Sequence, residues 1–156
     1  MNYIDNLPEM KEMVYEKDRK QEILLSGIMY GRKFTIMNLG THPTAYVELK
    51  PEEVNRSNSY NDYDLDVHGG FTYLDKAYWD EEDKSQYIGW DYSHWNDFCG
   101  YYINDNYYSN KDLKKWTSQE IFEEVKSVIE QFGRAEWVDM SEPHYVFKIK
   151  DNKGEN

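Results

Sequence analysis

Asp91, His94 and Asp97 stand three residues apart in the segment Gly89-Trp90-Asp91-Tyr92-Ser93-His94-Trp95-Asn96-Asp97. A tight turn or a single helical turn therefore places the three side chains on one side of the chain. Upstream, Asp64-Leu65-Asp66-Val67-His68-Gly69-Gly70 supplies a second imidazole, and the glycine pair lets the backbone bend beside it. A divalent transition metal needs several N or O ligands converging at about 2.0–2.2 Å, and imidazole with carboxylate suits zinc. The spacing predicts a zinc site held by His68, Asp91, His94 and Asp97, with Asp64, Asp66 and Cys99 as weaker ligand candidates. His42 and His144 are assigned to structure, since nothing polar clusters near them in sequence. Two plainer readings compete for the same residues. Asp-rich loops are usually solvated surface, and a histidine beside a tryptophan is usually packed.

The elements that must position these groups follow from patterning. Glu9 to Lys20, with Met10, Met13, Val14 and Lys17 on one face, predicts a short first helix. Glu22 to Leu39 reads as a hairpin turning at Gly31-Arg32, Ala45 to Leu49 as another strand, and Pro51 to Asn61 as a polar loop. Strands are expected around Asp66 to Leu74 and Gln86 to Asp91, joined by the acidic turn Asp80-Glu81-Glu82-Asp83. Thr117-Ser118-Gln119-Glu120 is a capping box that opens the clearest helix. Its apolar face is Ile121, Phe122, Val125, Val128, Ile129 and Phe132, with Gly133 as the stop. His144 to Ile149 is a last strand. The fold class is α+β: an antiparallel sheet with a short N-terminal and a longer C-terminal helix packed on it. One domain over 1–150 is expected, with 151–156 a solvated tail.

Charge sets limits on partners. The chain of 156 residues carries −12. Residues 52–97 hold twelve acids against only Arg56, Lys76 and Lys84, a net of −9, while residues 1–51 are neutral. Such a field repels nucleic acid and attracts cations or a basic protein surface. Ten of the fifteen tyrosines lie between residues 60 and 108, with Trp79, Trp90 and Trp95; aromatics amid carboxylates suit either a core or a protein-binding surface. Cys99 is the single cysteine, which excludes an internal disulfide framework or a zinc ribbon. Neither a signal peptide nor a membrane-spanning stretch is read, so the expected location is the cytoplasm.

The pair Asp66-Val67-His68-Gly69-Gly70-Phe71-Thr72-Tyr73 and Gly89-Trp90-Asp91-Tyr92-Ser93-His94-Trp95-Asn96-Asp97 resembles a family of small phage and prophage proteins of unassigned function. The resemblance covers about residues 41–132, beginning at His42-Pro43. Asp66, His68, Gly69, Gly70, Thr72 and Tyr73 match the first block, and Gly89, Asp91, His94 and Asp97 the second. Relatives often carry Cys where this chain has Tyr92, so a thiolate ligand is not part of this copy. Phage genes of this size and acidity are often antidefence genes, and the chain is similar in type to acidic type II anti-CRISPR proteins, of which at least one is a metalloprotein.

That likeness implies an inhibitor in the host bacterial cell. It would occupy the Lys/Arg-lined surface of a type II CRISPR nuclease, block target DNA loading, and bind no nucleic acid itself. The partner-binding residues would then be Asp80, Glu81, Glu82 and Asp83. The alternative is a small metal-dependent hydrolase of a nucleotide or phosphate ester, in which Asp91 or Asp97 activates a metal-bound water. It lacks nearby bases in sequence to hold a phosphate, and no G-x-S-x-G, P-loop, Rossmann or H-E-x-x-H pattern occurs. A third reading is a DNA mimic needing no metal.

Overall fold

Tyr30 and Gly31 both take positive φ, 52° and 75°, and this pair turns the chain between β2 (Glu22–Met29) and β3 (Arg32–Asn38). Two consecutive left-handed residues match the right-handed twist of the flanking strands. The turn thus lies one residue earlier than the Gly31-Arg32 pair suggests. The computed structural model describes residues 4–5, 8–54, 59–100, 113–141 and 144–150, with backbone alone at 4–5, 139–141 and 144–145. The expected tail at 151–156 lies outside the described residues.

The fold is α+β. β4 is Pro43–Leu49, β6 is Tyr73–Lys76 and β7 is Gln86–Asp91; β1 is Ile4–Asp5. These form a six-stranded antiparallel sheet in the order β1-β2-β3-β4-β7-β6. A second sheet has the order β5-β9-β8, from Tyr63–Asp64, His144–Ile149 and Ala135–Ser141. The helix α1, Ser118–Arg134, lies in sequence between β7 and β8.

Alternation along the strands decides which face each residue covers. Phe34, Ile36, Ala45, Val47, Ile88 and Trp90 are buried in the core that also takes Ile121, Phe122, Val125, Val128, Ile129 and Phe132 of α1. The opposite face carries a smaller cluster of Met37, Tyr46, Ala77 and Tyr87, with Leu39, Tyr73 and Trp79 packed against it. Arg32 locks the hairpin to the loop after β4. Its guanidinium meets both Glu53 carboxylate oxygens at 2.5 and 2.8 Å, and it lies 4.4 Å above the Phe132 ring.

Three expectations need correction. Residues 8–20 form an irregular strap with one turn at Lys17–Asp18 and not a helix. Neighbours take its backbone groups: Lys11 N–H donates to Leu24 O, Val14 O accepts from Asn38 Nδ2, and Glu16 N–H donates to Gly40 O. A short polar helix has little stability alone, so these tertiary bonds win. Next, the stretch from Asp66 to Thr72 is a loop, and only Tyr73–Lys76 pairs as a strand. Gly69 and Gly70, at φ 70° and 81°, end any extended run there. Last, α1 passes through Gly133 without a break. It stops because Ala135 turns to extended backbone and enters β8 directly.

Candidate imidazole–carboxylate centre

Two tight turns meet beyond the end of β7. The first spans Val67 to Gly70, closed by Gly70 N–H to Val67 O at 3.0 Å, with His68 and Gly69 at its corner. Gln131 of α1 fixes its approach: Asp66 N–H donates to Gln131 Oε1 at 2.6 Å, and Gln131 Nε2 donates back to Asp66 O at 2.7 Å. The second turn spans His94 to Asp97. It is closed by Asp97 N–H to His94 O and again by His94 N–H to Asp97 Oδ2, both 2.9 Å. Trp95 sits at the corner of that turn and is 89% exposed.

All four residues expected to bind metal come together here. Asp97 is the buried hub, with its side chain 2% exposed. Its Oδ1 accepts from Trp116 Nε1 at 2.8 Å, and its Oδ2 accepts from His68 Nε2 at 2.8 Å as well as from the His94 amide. The His68 ring stacks on Tyr92 at 4.7 Å and meets Trp116 edge-on at 4.8 Å. His94 lies 5.5 Å from His68, ring to ring. Its Nε2 is 3.2 Å from Asp91 Oδ1. That approach is not aligned as a hydrogen bond, so Nε2 has no hydrogen-bond partner among the described residues. Asp91 is steadied by Thr72 Oγ1 at 2.9 Å and by the Ser93 amide at 3.1 Å.

As they stand, these donors are arranged as two imidazole–carboxylate pairs. Among the described residues, no three His, Cys, Asp or Glu side chains converge on a common point. The expected four-ligand set is thus assembled in space but paired internally. Asp64 and Asp66 are exposed and lie outside the two pairs. Cys99 is buried and free, 3.6 Å from Ser93 Oγ. Burial raises its pKa, the Ser93 contact opposes this, and Asp97 and Asp91 add to it. This thiol is not an activated nucleophile.

Sequence reasoning missed four neighbours. His42 feels Asp91, Asp97 and His94, although burial is the main cause that lowers its pKa from 6.5. Glu124 accepts the His68 backbone N–H, and burial raises its carboxyl above the usual range. Lys114 and Lys115 also arrive from far along the chain. Lys114 N–H bonds Asn96 O at 2.9 Å, and its Nζ lies 4.1 Å above the Trp116 ring while pairing with Glu120. Lys115 Nζ lies 4.6 Å from the Phe98 ring. The Lys114 backbone thus reaches the centre, while its charge is taken up by Glu120.

The acidic turn lies elsewhere, between β6 and β7. Asp80, Glu81 and Glu82 are exposed. Asp83 is not a free charge: Lys33 Nζ meets it at 2.9 Å, and the Tyr87 hydroxyl and Ser85 amide also donate to it. Despite partial burial, these donors hold its pKa far below the usual carboxylate range.

No family model matches the chain, and neither a curated protein nor a solved structure matches it at a significant level. Among the described residues, no helix is long and apolar enough to cross a membrane.

Proposed function

We propose that this protein is an acidic, divalent-metal-binding protein that acts by docking on a basic protein surface. The observation that supports the metal half is the juxtaposition of two imidazole–carboxylate pairs, His68 with Asp97 and His94 with Asp91, across two turns remote in sequence. Imidazole and carboxylate are the donor set that zinc accepts. The docking half is supported by the net −9 of residues 52–97 and by the exposure of Asp80, Glu81 and Glu82. Carboxylates placed this way steer encounter with a Lys/Arg-rich surface. On likeness of type to acidic phage inhibitors, the partner proposed first is the nucleic-acid channel of a type II CRISPR nuclease.

The test is elemental analysis of the purified chain with thermal unfolding before and after EDTA. About one equivalent of zinc and a lowered melting temperature after chelation are expected. No stoichiometric metal, with an unchanged transition in EDTA, refutes the metal half.

One observation favours a second reading, that of a metal-dependent hydrolase. Lys114 and Lys115 stand beside the centre, where a phosphate ester would need cations. Release of inorganic phosphate from nucleotide or phosphate-ester substrates by the zinc-loaded chain would decide for it.

A further inference from the structure

We propose that the outer face of the six-stranded sheet carries a docking groove for an extended segment of a basic partner protein, one that sets an apolar side chain beside a lysine or arginine. The proposal rests on the docking reading above and names the surface and the segment that fits it.

The outer face is the one that α1 leaves uncovered. Register places Ile23, Ser26 and Ile28 of β2 beside Met37, Thr35 and Lys33 of β3 on that side. A strand face turned to solvent is ordinarily polar, yet Ile23 and Ile28 are each 38% exposed. Between them Ser26 and Gly27 have little or no side chain, and a hollow of about 300 Å³ results. Its far wall is Trp79. That ring is held by Tyr46 at 4.6 Å and Tyr87 at 4.9 Å, against the smaller hydrophobic cluster. The wall is therefore in place before any partner arrives, and entry of a side chain orders little that is not already ordered.

Charge decides the occupant. The base that lines the hollow, Lys33, is engaged: its Nζ pairs with Asp83 at 2.9 Å and lies 3.8 Å from Glu48. Asp80 on the rim is exposed, and its carboxylate accepts the Glu82 amide but meets no cation among the described residues. The Lys33–Asp83 pair also pins the acidic turn to the sheet. On the other side of that pair lies a wider groove of about 780 Å³, where Glu48, Asp80 and Glu82 face a single further base, Lys84. Lys84 Nζ donates to Glu81 O. An apolar hollow with a tryptophan wall and open carboxylates at its edge matches an aliphatic side chain next to a cation. Burial of the first supplies affinity, and the second is steered and held by the rim. A phosphate or a nucleic acid would meet the same rim with repulsion.

Two short lysine-rich peptides of equal charge are the probes, one with a single central leucine and its twin with serine there. Each is titrated into the full-length chain labelled with nitrogen-15, and amide and indole resonances are followed by NMR. The leucine peptide should shift Ile23, Ile28, Trp79 and Asp80, and bind about 10-fold more tightly than its twin. Ile28→Ser, at an exposed position, should remove that preference, whereas Asp80→Asn should weaken both peptides and keep it. Equal binding of the two peptides, or shifts that avoid Ile28 and Trp79, overturns the groove while sparing the acidic surface as a docking face. Binding of neither peptide overturns the docking reading together with the groove. Shifts at Ile28 and Trp79 that grow with protein concentration before any peptide is added assign the groove to a second copy of this chain, and overturn the proposal.

Discussion

Gly69 and Gly70 offer a matched pair of substitutions that differ in a single contact. Both residues have positive φ, 70° and 81°, so an alanine at either pays for a left-handed backbone, about 1–2 kcal/mol. For a chain of this length that cost lowers the melting temperature by about 2–8 °C. The difference lies in what the new methyl would meet. At Gly70 it would meet nothing within 4 Å, whereas at Gly69 it would fall closer than 3.0 Å to Nε2, Cδ2 and Cε1 of His94. The obstacle is the far end of a side chain, so the ring yields before the backbone does. Moving it breaks the 3.2 Å approach to Asp91, a partly exposed pair contributing about 0–1 kcal/mol. Gly69→Ala should therefore be only slightly less stable than Gly70→Ala, by about 1 kcal/mol at most. The centre should respond very differently. In NMR spectra the His94 ring resonances should move in Gly69→Ala and stay in place in Gly70→Ala, and zinc binding should weaken in the first variant alone. Equal displacement of His94 in the two variants, or none in Gly69→Ala, would refute the claim that the glycine turn sets the imidazole's position.

Two further expectations follow from charge. Burial holds the pKa of His42 below 6.5, so its folded form resists protonation. Its contribution to stability is then complete above the unfolded value and is lost as pH falls below about 6.5. Urea unfolding between pH 5 and 8 should show this slope, and His42→Gln should flatten it; the same slope in both proteins would remove the assignment. Reversing the charge at Asp80, Glu81 and Glu82 should slow association with a Lys/Arg-rich protein surface more than reversal at the exposed Glu9, Glu12 and Glu16. The gap should close as salt shortens the Debye length from about 10 Å at 0.1 M to about 3 Å at 1 M. Association rates across a salt series measure it, and equal slowing by the two reversals would count against a docking face at the turn.

How much of this was legible in the sequence depends on where each signal is written. The start of α1 is written locally. Thr117 and Glu120 cap each other through the backbone, and the six apolar residues that follow at helical spacing are all buried. β7 begins and ends where polar residues bound its buried run Tyr87 to Trp90, at Gln86 and Asp91. The strap at 8–20 and the strand β8 are not written locally. Met10 and Met13 pack on the core at helical spacing, yet partners from β2 and the β3–β4 turn draw the chain out. In β8, the helix meets the strand without a loop, and Gly133 gave a stop signal that the fold does not use.

The same division runs through the centre, where spacing brings residues together without fixing their partners. Asp91, His94 and Asp97 repeat every three residues, which places them near one another but does not say which way each one points. Asp97 faces inward because Trp116, from the turn before α1, supplies an indole N–H, and because Lys114 pairs its backbone with Asn96 and Phe98. His42 enters the same field because β4 pairs with β7 in a register that sets Thr44 opposite Asp91. Neither partner is within twelve residues of the group it affects, so no local pattern can contain it. A motif of histidines and aspartates thus identifies a candidate set of ligands. Which way a member points is decided by the residue buried against it, and for Asp97 that residue is Trp116.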